Sequence, residues 1–174
     1  MAFIDLAHER YSVRKFSSNP VEHEKLEQIL RAGQLAPTAC NYQPQRIIVV
    51  ENEEAHKKIR KCTPCHFNAP VVLIVCYDNN SSAKRRSTSF DIGVIDASIV
   101  ATQMMLEVAD IGLGATWVED FEPDAVIQEF ALPKNIIPVA LLPLGYPADD
   151  AKPNERLHNS RKPLEETVFY NHLN

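Results

Sequence analysis

The amino-acid sequence predicts an α+β fold in which helices are mixed with strands inside one domain. Three features predict it. Ile47-Ile48-Val49-Val50 and Val71 to Tyr77 are β-branched or wholly apolar runs of strand length. Residues 21–35 place Leu26, Ile29 and Leu30 on one face at helical spacing, with Glu22, Glu24, Lys25 and Glu27 elsewhere. Ala97 to Leu106 carries no charge on any face, and a helix apolar all round is buried all round. In a chain of 174 residues that helix sits at the centre or under a second subunit.

The remaining elements follow in order. Ala2 to Arg10 reads as a short amphipathic helix, and Pro20 suits the start of the next one, where its missing N–H needs no partner. Ala36 to Pro44 is turn-rich. Residues 53–61 form a charged helix, and Asp78 to Thr88 is a polar loop. After Gly112-Leu113-Gly114 the pattern gives a strand through Val118, a helix around 122–131 and a last strand near Val139 to Leu144. The tail, about 148–174, has too little apolar pattern to fold alone and reads as an arm packed on another subunit.

Length fits a single domain spanning 1–174, since domains run to about 100–200 residues. Hydrophobic residues make up 45% and charged residues 24%, ordinary for a globular protein. The net charge of −5 gives no general attraction to nucleic acid or anionic lipid. No run approaches the roughly 20 apolar residues of a membrane span. Val71 to Tyr77 is too short, and residues 135–148 are interrupted by Pro138, Pro143 and Pro147. The N-terminus reads as a helix and not as a signal peptide, so the expected setting is cytoplasmic, with reduced thiols. Four cysteines are too few for a disulfide scaffold in a chain of this length.

Three constellations could carry chemistry. Arg10-Tyr11-Ser12-Val13-Arg14-Lys15 groups three cations and a hydroxyl, suited to a phosphate monoester or simply a solvated basic turn. Arg161-Lys162 is a second basic pair that could close the same pocket. In Ala36-Pro37-Thr38-Ala39-Cys40-Asn41-Tyr42-Gln43-Pro44, two prolines fix a loop displaying Thr38, Asn41 and Gln43. Amides of that kind match the edge of a heterocycle such as a flavin pyrimidine, or cap neighbouring backbone. Cys62-Thr63-Pro64-Cys65-His66 has the pattern of a haem attachment site. It also allows a three-ligand metal site, a redox dithiol, or a plain loop before a buried strand. Lys84-Arg85-Arg86 is a solvated loop or an attractor for a phosphorylated cofactor, and Trp117 packs in a core or on a ring.

Taken in order, these motifs resemble the nitroreductase family of FMN-dependent oxidoreductases. The resemblance rests on Arg10, Ser12 and Arg14 followed by Phe16, then Pro20, Val21 and Leu26. It continues through the loop of Ala36, Pro37, Thr38, Asn41, Gln43 and Pro44, Asp96-Ala97 in the central helix, and Gly112-Leu113-Gly114. Leu-Pro-Leu-Gly-Tyr-Pro at 142–147 and Arg-Lys-Pro-Leu-Glu-Glu at 161–166 complete it.

The resemblance implies a central mixed β-sheet flanked by helices and a domain-swapped homodimer with two FMN sites at its interface. It implies Arg10, Tyr11, Ser12, Arg161 and Lys162 at the FMN phosphate and Arg14 toward the pyrimidine. Pro37, Thr38, Ala39, Asn41 and Gln43 would line the ring, Asn41 coming from the partner subunit. Backbone around Val118, Glu119 and Asp120 would face the reactive N5 edge, with Trp117 beside them in the cofactor site. NADH or NADPH would deliver hydride to N5, and a nitroaromatic or quinone would then be reduced in ping-pong fashion, with no catalytic side chain and no metal. The alternatives are a flavin store or sensor without turnover, or a branch that reduces enones, dehalogenates or consumes its flavin. Asp120 stands where glycine is common in the family, and the chain is short for it, which implies a more open site.

Overall fold

The structure, a computed structural model, describes residues 2–173, so the two ends of the expected 1–174 domain lie outside the described residues. Seven residues of helix, α1 (Phe3–Glu9), are followed by α2 (His23–Gln34), strand β1 (Gln45–Val50) and α3 (Glu53–Cys62). Then come β2 (Val71–Asp78), α4 (Gly93–Asp110), β3 (Gly114–Ala115), α5 (Pro123–Glu129), β4 (Ile136–Gly145) and α6 (Glu155–His158). Pro20 lies ahead of α2 and not in its first turn, since Glu22 is the N-cap. The strand expected through Val118 shrinks to Gly114–Ala115: beyond it Thr116 N–H donates to Pro143 O, and Val118 exchanges a pair of bonds with Leu141 as an isolated bridge.

The sheet order is β1-β2-β4-β3, and every ladder is antiparallel. This corrects the expected mixed sheet, whose parallel component reduces to one bridge between Ser12 and Ala115. The reason lies in the connections. Val50 pairs with Val72 and Asp78 with Ile136, so paired strands meet where the chain re-enters the sheet. α4 does cross to the opposite end, but the strand it delivers, β3, pairs with β4 and not with β2. Parallel pairing needs a crossover to the opposite end.

β2 is the central strand, and its uninterrupted apolar run is buried on both faces. Val71, Leu73, Val75 and Tyr77 face α2 and α4, while Val72, Ile74 and Cys76 face the layer of α3 and α5. The alternation follows from the period of two along a strand. Full burial of an aliphatic side chain of this size stabilises the fold by about 1.5–3 kcal/mol.

α4 packs its Asp96, Ala97, Val100, Ala101, Met104 and Val108 face into the core. The burial all round that its composition suggests is not reached within one chain: Val94, Ile95 and Ile99 stay 38%, 42% and 37% exposed. With Phe3 and Leu6 of α1 and Leu35 after α2, Ile95 and Ile99 line an open groove of about 920 Å3. Leu164, Phe169 and Tyr170 of the tail are also exposed. Among the described residues no helix is long and apolar enough to cross a membrane.

Gly93 begins α4 against the Tyr77 ring, and a Cβ there would stand 2.1 Å from the ring's Cδ2. Gly93→Ala is expected to lower stability by about 1–3 kcal/mol through overpacking, read as a reduced urea midpoint at unchanged m-value.

Candidate functional site

The basic box is fixed to the sheet edge by its own backbone. Arg10 N–H closes α1 on Leu6 O at 3.0 Å, and Val13 N–H donates to Ala115 O at 3.0 Å. Val13 is buried against Gly114, where a Cβ would stand 2.4 Å from Val13 Cγ2. Side chains alternate along extended backbone, so Ser12 and Arg14 point away from that core.

The tail comes back to this surface. Lys15 Nζ meets Asp150 Oδ2 at 2.5 Å, and Ala148 N–H donates to Lys15 O at 3.1 Å. Arg10, Ser12, Arg14 and Arg161 then share one small cleft of about 120 Å3, together with Tyr11 and the side chains of Asn154 and His158. Arg161 is held there by bonds from Nη1 to the carbonyls of Leu157, His158 and Ser160 at 3.0, 3.0 and 2.8 Å. Burial, and then the nearby Arg161 charge, push the Arg10 guanidinium below its ordinary pKa.

Among the described residues no carboxylate lines this cleft. Three guanidinium groups with neutral donors beside them form a receptor for an anion. Lys162 is not part of it: its ammonium is exposed, 3.8 Å from Glu166 Oε2. Sequence reasoning missed Asn154 and His158. Asn154 caps α6 by accepting from Leu157 N–H at 3.2 Å, a signal carried by an Asn ahead of a short helix, whereas nothing local marks His158.

The proline-pinned loop lies elsewhere. Ala39 N–H donates to Asp96 Oδ1 at 2.9 Å, tying the loop to the first turn of α4. Asp96 is 1% exposed and its Oδ2 has no partner among the described residues. Thr38 Oγ1 accepts from Gln43 N–H at 3.1 Å, and Gln43 Nε2 donates to Asn41 O at 3.2 Å. Thr38 and Gln43 therefore hold the loop's own shape, as the capping alternative expects. The Asn41 amide makes no such bond among the described residues and is exposed. Cys40, Asn41 and Gln43 have φ of 54°, 53° and 51°, an uncommon left-handed run that side chains tolerate only under constraint.

The loop and the basic box do not meet within one chain. The loop touches α4 at Asp96, while Arg10 shares a second small cleft with Met105, Ala109 and Gly112 at the helix's other end. Thirteen residues of rise separate Asp96 from Ala109, about 20 Å.

The third expected group, Trp117 to Asp120, is buttressed from behind. Trp117 Nε1–H donates to the Glu119 carboxylate. Val118 N–H is committed to Leu141 O at 2.9 Å. Thr63 Oγ1 donates to Asp120 O, the Cys65 thiol lies 3.7 Å from Asp120 Oδ2, and Glu122 N–H donates to Cys62 O at 2.8 Å. The Cys62–His66 stretch is thus the loop that props this segment. Cys62 is buried on α3 and donates to Lys58 O, and His66 Nδ1 accepts from Asn68 N–H. Among the described residues no three metal-ligating side chains gather.

The nitroreductase family model matches residues 7–64 and 62–146. The chain belongs to the nitroreductase family. It is 34% identical over 149 residues to a protein of Methanothermobacter thermautotrophicus provisionally named NADH dehydrogenase/NAD(P)H nitroreductase, covering 81% of this chain and 75% of that one. It is 29% identical over 176 residues to the FMN reductase (NAD(P)H) of Bacillus subtilis, covering 91% of this chain and 71% of that one. A nitroreductase family protein of Clostridium difficile 630, solved by crystallography, matches with a TM-score of 0.94 and 39% identity over 99% of this chain and 100% of its own.

Burial pushes the Cys76 thiol up to about 12, and burial also raises that of Cys62. At pH 8 the native protein is expected to withhold both from Ellman's reagent, and all four thiols should react in denaturant.

Proposed function

We propose that this nitroreductase family member is an FMN-dependent NAD(P)H oxidoreductase that acts as a homodimer and reduces a small acceptor such as a nitroaromatic or quinone. The observation that carries the proposal is the carboxylate-free cleft where Arg10 and Arg161 converge. Its size and donors fit a phosphate group: two guanidinium forks, the Ser12 hydroxyl, the Asn154 amide and the His158 imidazole. The name of the Bacillus subtilis relative links the family to FMN and NAD(P)H.

In this reading Arg10, Ser12 and Arg161 hold the FMN phosphate, with Tyr11 beside them and Lys162 adding charge at the margin. Arg14, exposed and among the described residues bonded only to Ser12 O at 3.3 Å, reaches toward the pyrimidine and stabilises negative charge there. When bound, FMN supplies the acceptance of hydride from a nicotinamide and its delivery to an acceptor. Pro37, Thr38, Ala39, Asn41 and Gln43 form the wall beside the ring, Asn41 supplying the free amide. Because Val118 N–H is taken by Leu141, Glu119 and Asp120 offer the backbone donors of the third segment, with Trp117 as an apolar neighbour. Donor and acceptor occupying one site in turn give ping-pong kinetics.

Symmetry supplies the missing half of the site. The exposed apolar face of α4 and the groove beside it suit a second copy, and a two-fold interface is self-complementary. With the two α4 helices antiparallel across that axis, the Asp96 end of one lies beside the Ala109 end of the other. The Thr38–Gln43 loop of one subunit then meets the partner's basic box, crossing the roughly 20 Å that separates them within a chain. The exposed tail packs on the partner.

The purified protein is expected to show flavin absorbance that NADH or NADPH bleaches and a nitroaromatic restores. Flavin that stays oxidised with both nicotinamides would identify a store or sensor instead. Arg10→Ala and Arg161→Ala should each weaken FMN binding roughly tenfold to hundredfold, measured by fluorescence titration. Full flavin retention in both variants would reject the cleft. Ile99→Glu, placing a charge on the open face of α4, should shift the dimer to monomer in sedimentation velocity and release flavin with it.

A further inference from the structure

The hairpin between β2 and α4 carries charge that the proposed flavin site does not use. From Asn79 to Phe90 it contains Lys84, Arg85 and Arg86 and no acidic residue, in a chain of net charge −5. Its base is well braced. Lys84 Nζ meets Asp91 Oδ2 at 2.6 Å and donates to Asn79 O at 2.8 Å, and Ser82 Oγ donates to Asp91 Oδ1 at 2.6 Å. Arg85 N–H donates to Phe90 O at 2.9 Å and Ser89 N–H to Arg85 O at 2.8 Å, closing a tight tip.

Lys84 is therefore neutralised within the hairpin, whereas the tip is not. Arg85 lies over the Phe90 ring, 5.1 Å from its centroid. Neither Arg85 nor Arg86 has a carboxylate partner among the described residues. The hydroxyls of Ser87, Thr88 and Ser89 stand exposed between the arginines and the ring. Two guanidinium forks with adjacent hydroxyls form a receptor for a phosphate monoester, and the Phe90 stack holds one fork in place.

Position identifies which phosphate. Asp78 N–H donates to Pro44 O at 2.8 Å, and Arg46 Nη2 meets Asp78 Oδ2 at 3.2 Å, so the hairpin springs from the same sheet end as the Thr38–Gln43 loop. It leads directly into the Asp96 end of α4, the end proposed to cover the partner's cleft. FMN has one phosphate, already placed with Arg10 and Arg161. A second monoester arriving at this rim belongs to the nicotinamide donor, and only NADPH carries one, on its adenosine ribose.

Building on the proposed function, we infer that Arg85 and Arg86, with the hydroxyls of Ser87 and Ser89, bind the 2′-phosphate of NADPH and make NADPH the preferred donor. Net negative charge disfavours the more anionic cofactor overall, so the preference has to come from a local field of this kind.

Steady-state kinetics of the flavin-loaded dimer with each nicotinamide test the inference. Wild type is expected to favour NADPH at least roughly tenfold in kcat/KM, with 2′,5′-ADP inhibiting better than 5′-AMP. Arg86→Ala, and Arg85→Ala/Arg86→Ala together, should lower kcat/KM for NADPH about tenfold or more and erase the advantage of 2′,5′-ADP. Turnover with NADH should stay within about twofold, and the NADPH rate should fall more steeply than the NADH rate as salt rises. Both positions are exposed, so an unchanged melting curve accompanies the loss. Equal losses with NADH and NADPH would mean contact with the shared pyrophosphate and overturn the inference. A wild type indifferent to the 2′-phosphate, or variants that keep its preference, would overturn it too. Absence of flavin, or flavin that neither nicotinamide reduces, marks failure of the underlying function instead.

Discussion

The double burial of β2 is the constraint on which the rest of the architecture depends. Its residues Val71 to Tyr77 are apolar without interruption, so neither face tolerates water and each must receive a helical layer. α2 and α4 cover one side, α3 and α5 the other. That requirement draws α4 onto the sheet with its first turn under Tyr77 and brings Asp96 to the Ala39 amide. Placement of the proline-pinned loop is thus a consequence of core packing, even though the loop itself lies at the surface.

Once α4 is fixed by its inner face, its outer face becomes the second organising element. Val94, Ile95 and Ile99 stay partly exposed in the chain that carries them, Ile95 and Ile99 lining the open groove between α4 and residues of α1 and α2. Contiguous exposed apolar surface of this kind marks an interaction site in a soluble protein. The two groups proposed to hold flavin stand at opposite ends of the same helix. Association through that helix and completion of the site are then one event, which gives the proposed enzyme a reason to be an obligate dimer.

Electrostatics are arranged locally against the acidic background. In the Arg10–Arg161 cleft, which Arg14 also lines, the charge of Arg161 acts on Arg10, and that repulsion is relieved when an anion enters. At the hairpin, Lys84 is neutralised by Asp91 while Arg85 and Arg86 are left open. The same residue types thus serve as structure in one place and as a receptor in another, the difference being whether a carboxylate lies within reach. Asp120 and the Cys62–His66 loop illustrate the structural use: the thiol and hydroxyl there brace a turn.

Local pattern by itself determined the elements, because helix and strand periods are written in nearest-neighbour spacing: the α2 stripe, the β2 run and the uncharged α4 are all legible in it. It also marked Arg10, Ser12 and Arg14 as one group, since three cations and a hydroxyl fall within six consecutive residues. The sheet's antiparallel sense, the displacement of Pro20 from the first turn of α2 and the open outer face of α4 depend on how connections return and what packs where. Lys162 adjoins Arg161 in sequence yet points to Glu166, while Arg161 reaches Arg10 from about 150 residues away because Lys15 and Asp150 draw the tail back. The carboxylate-free cleft, with Asn154 and His158 in it, was therefore decided only by tertiary structure, because convergence is a property of distance in space. What remained legible in order along the chain was the family; what packing added was where its charges meet.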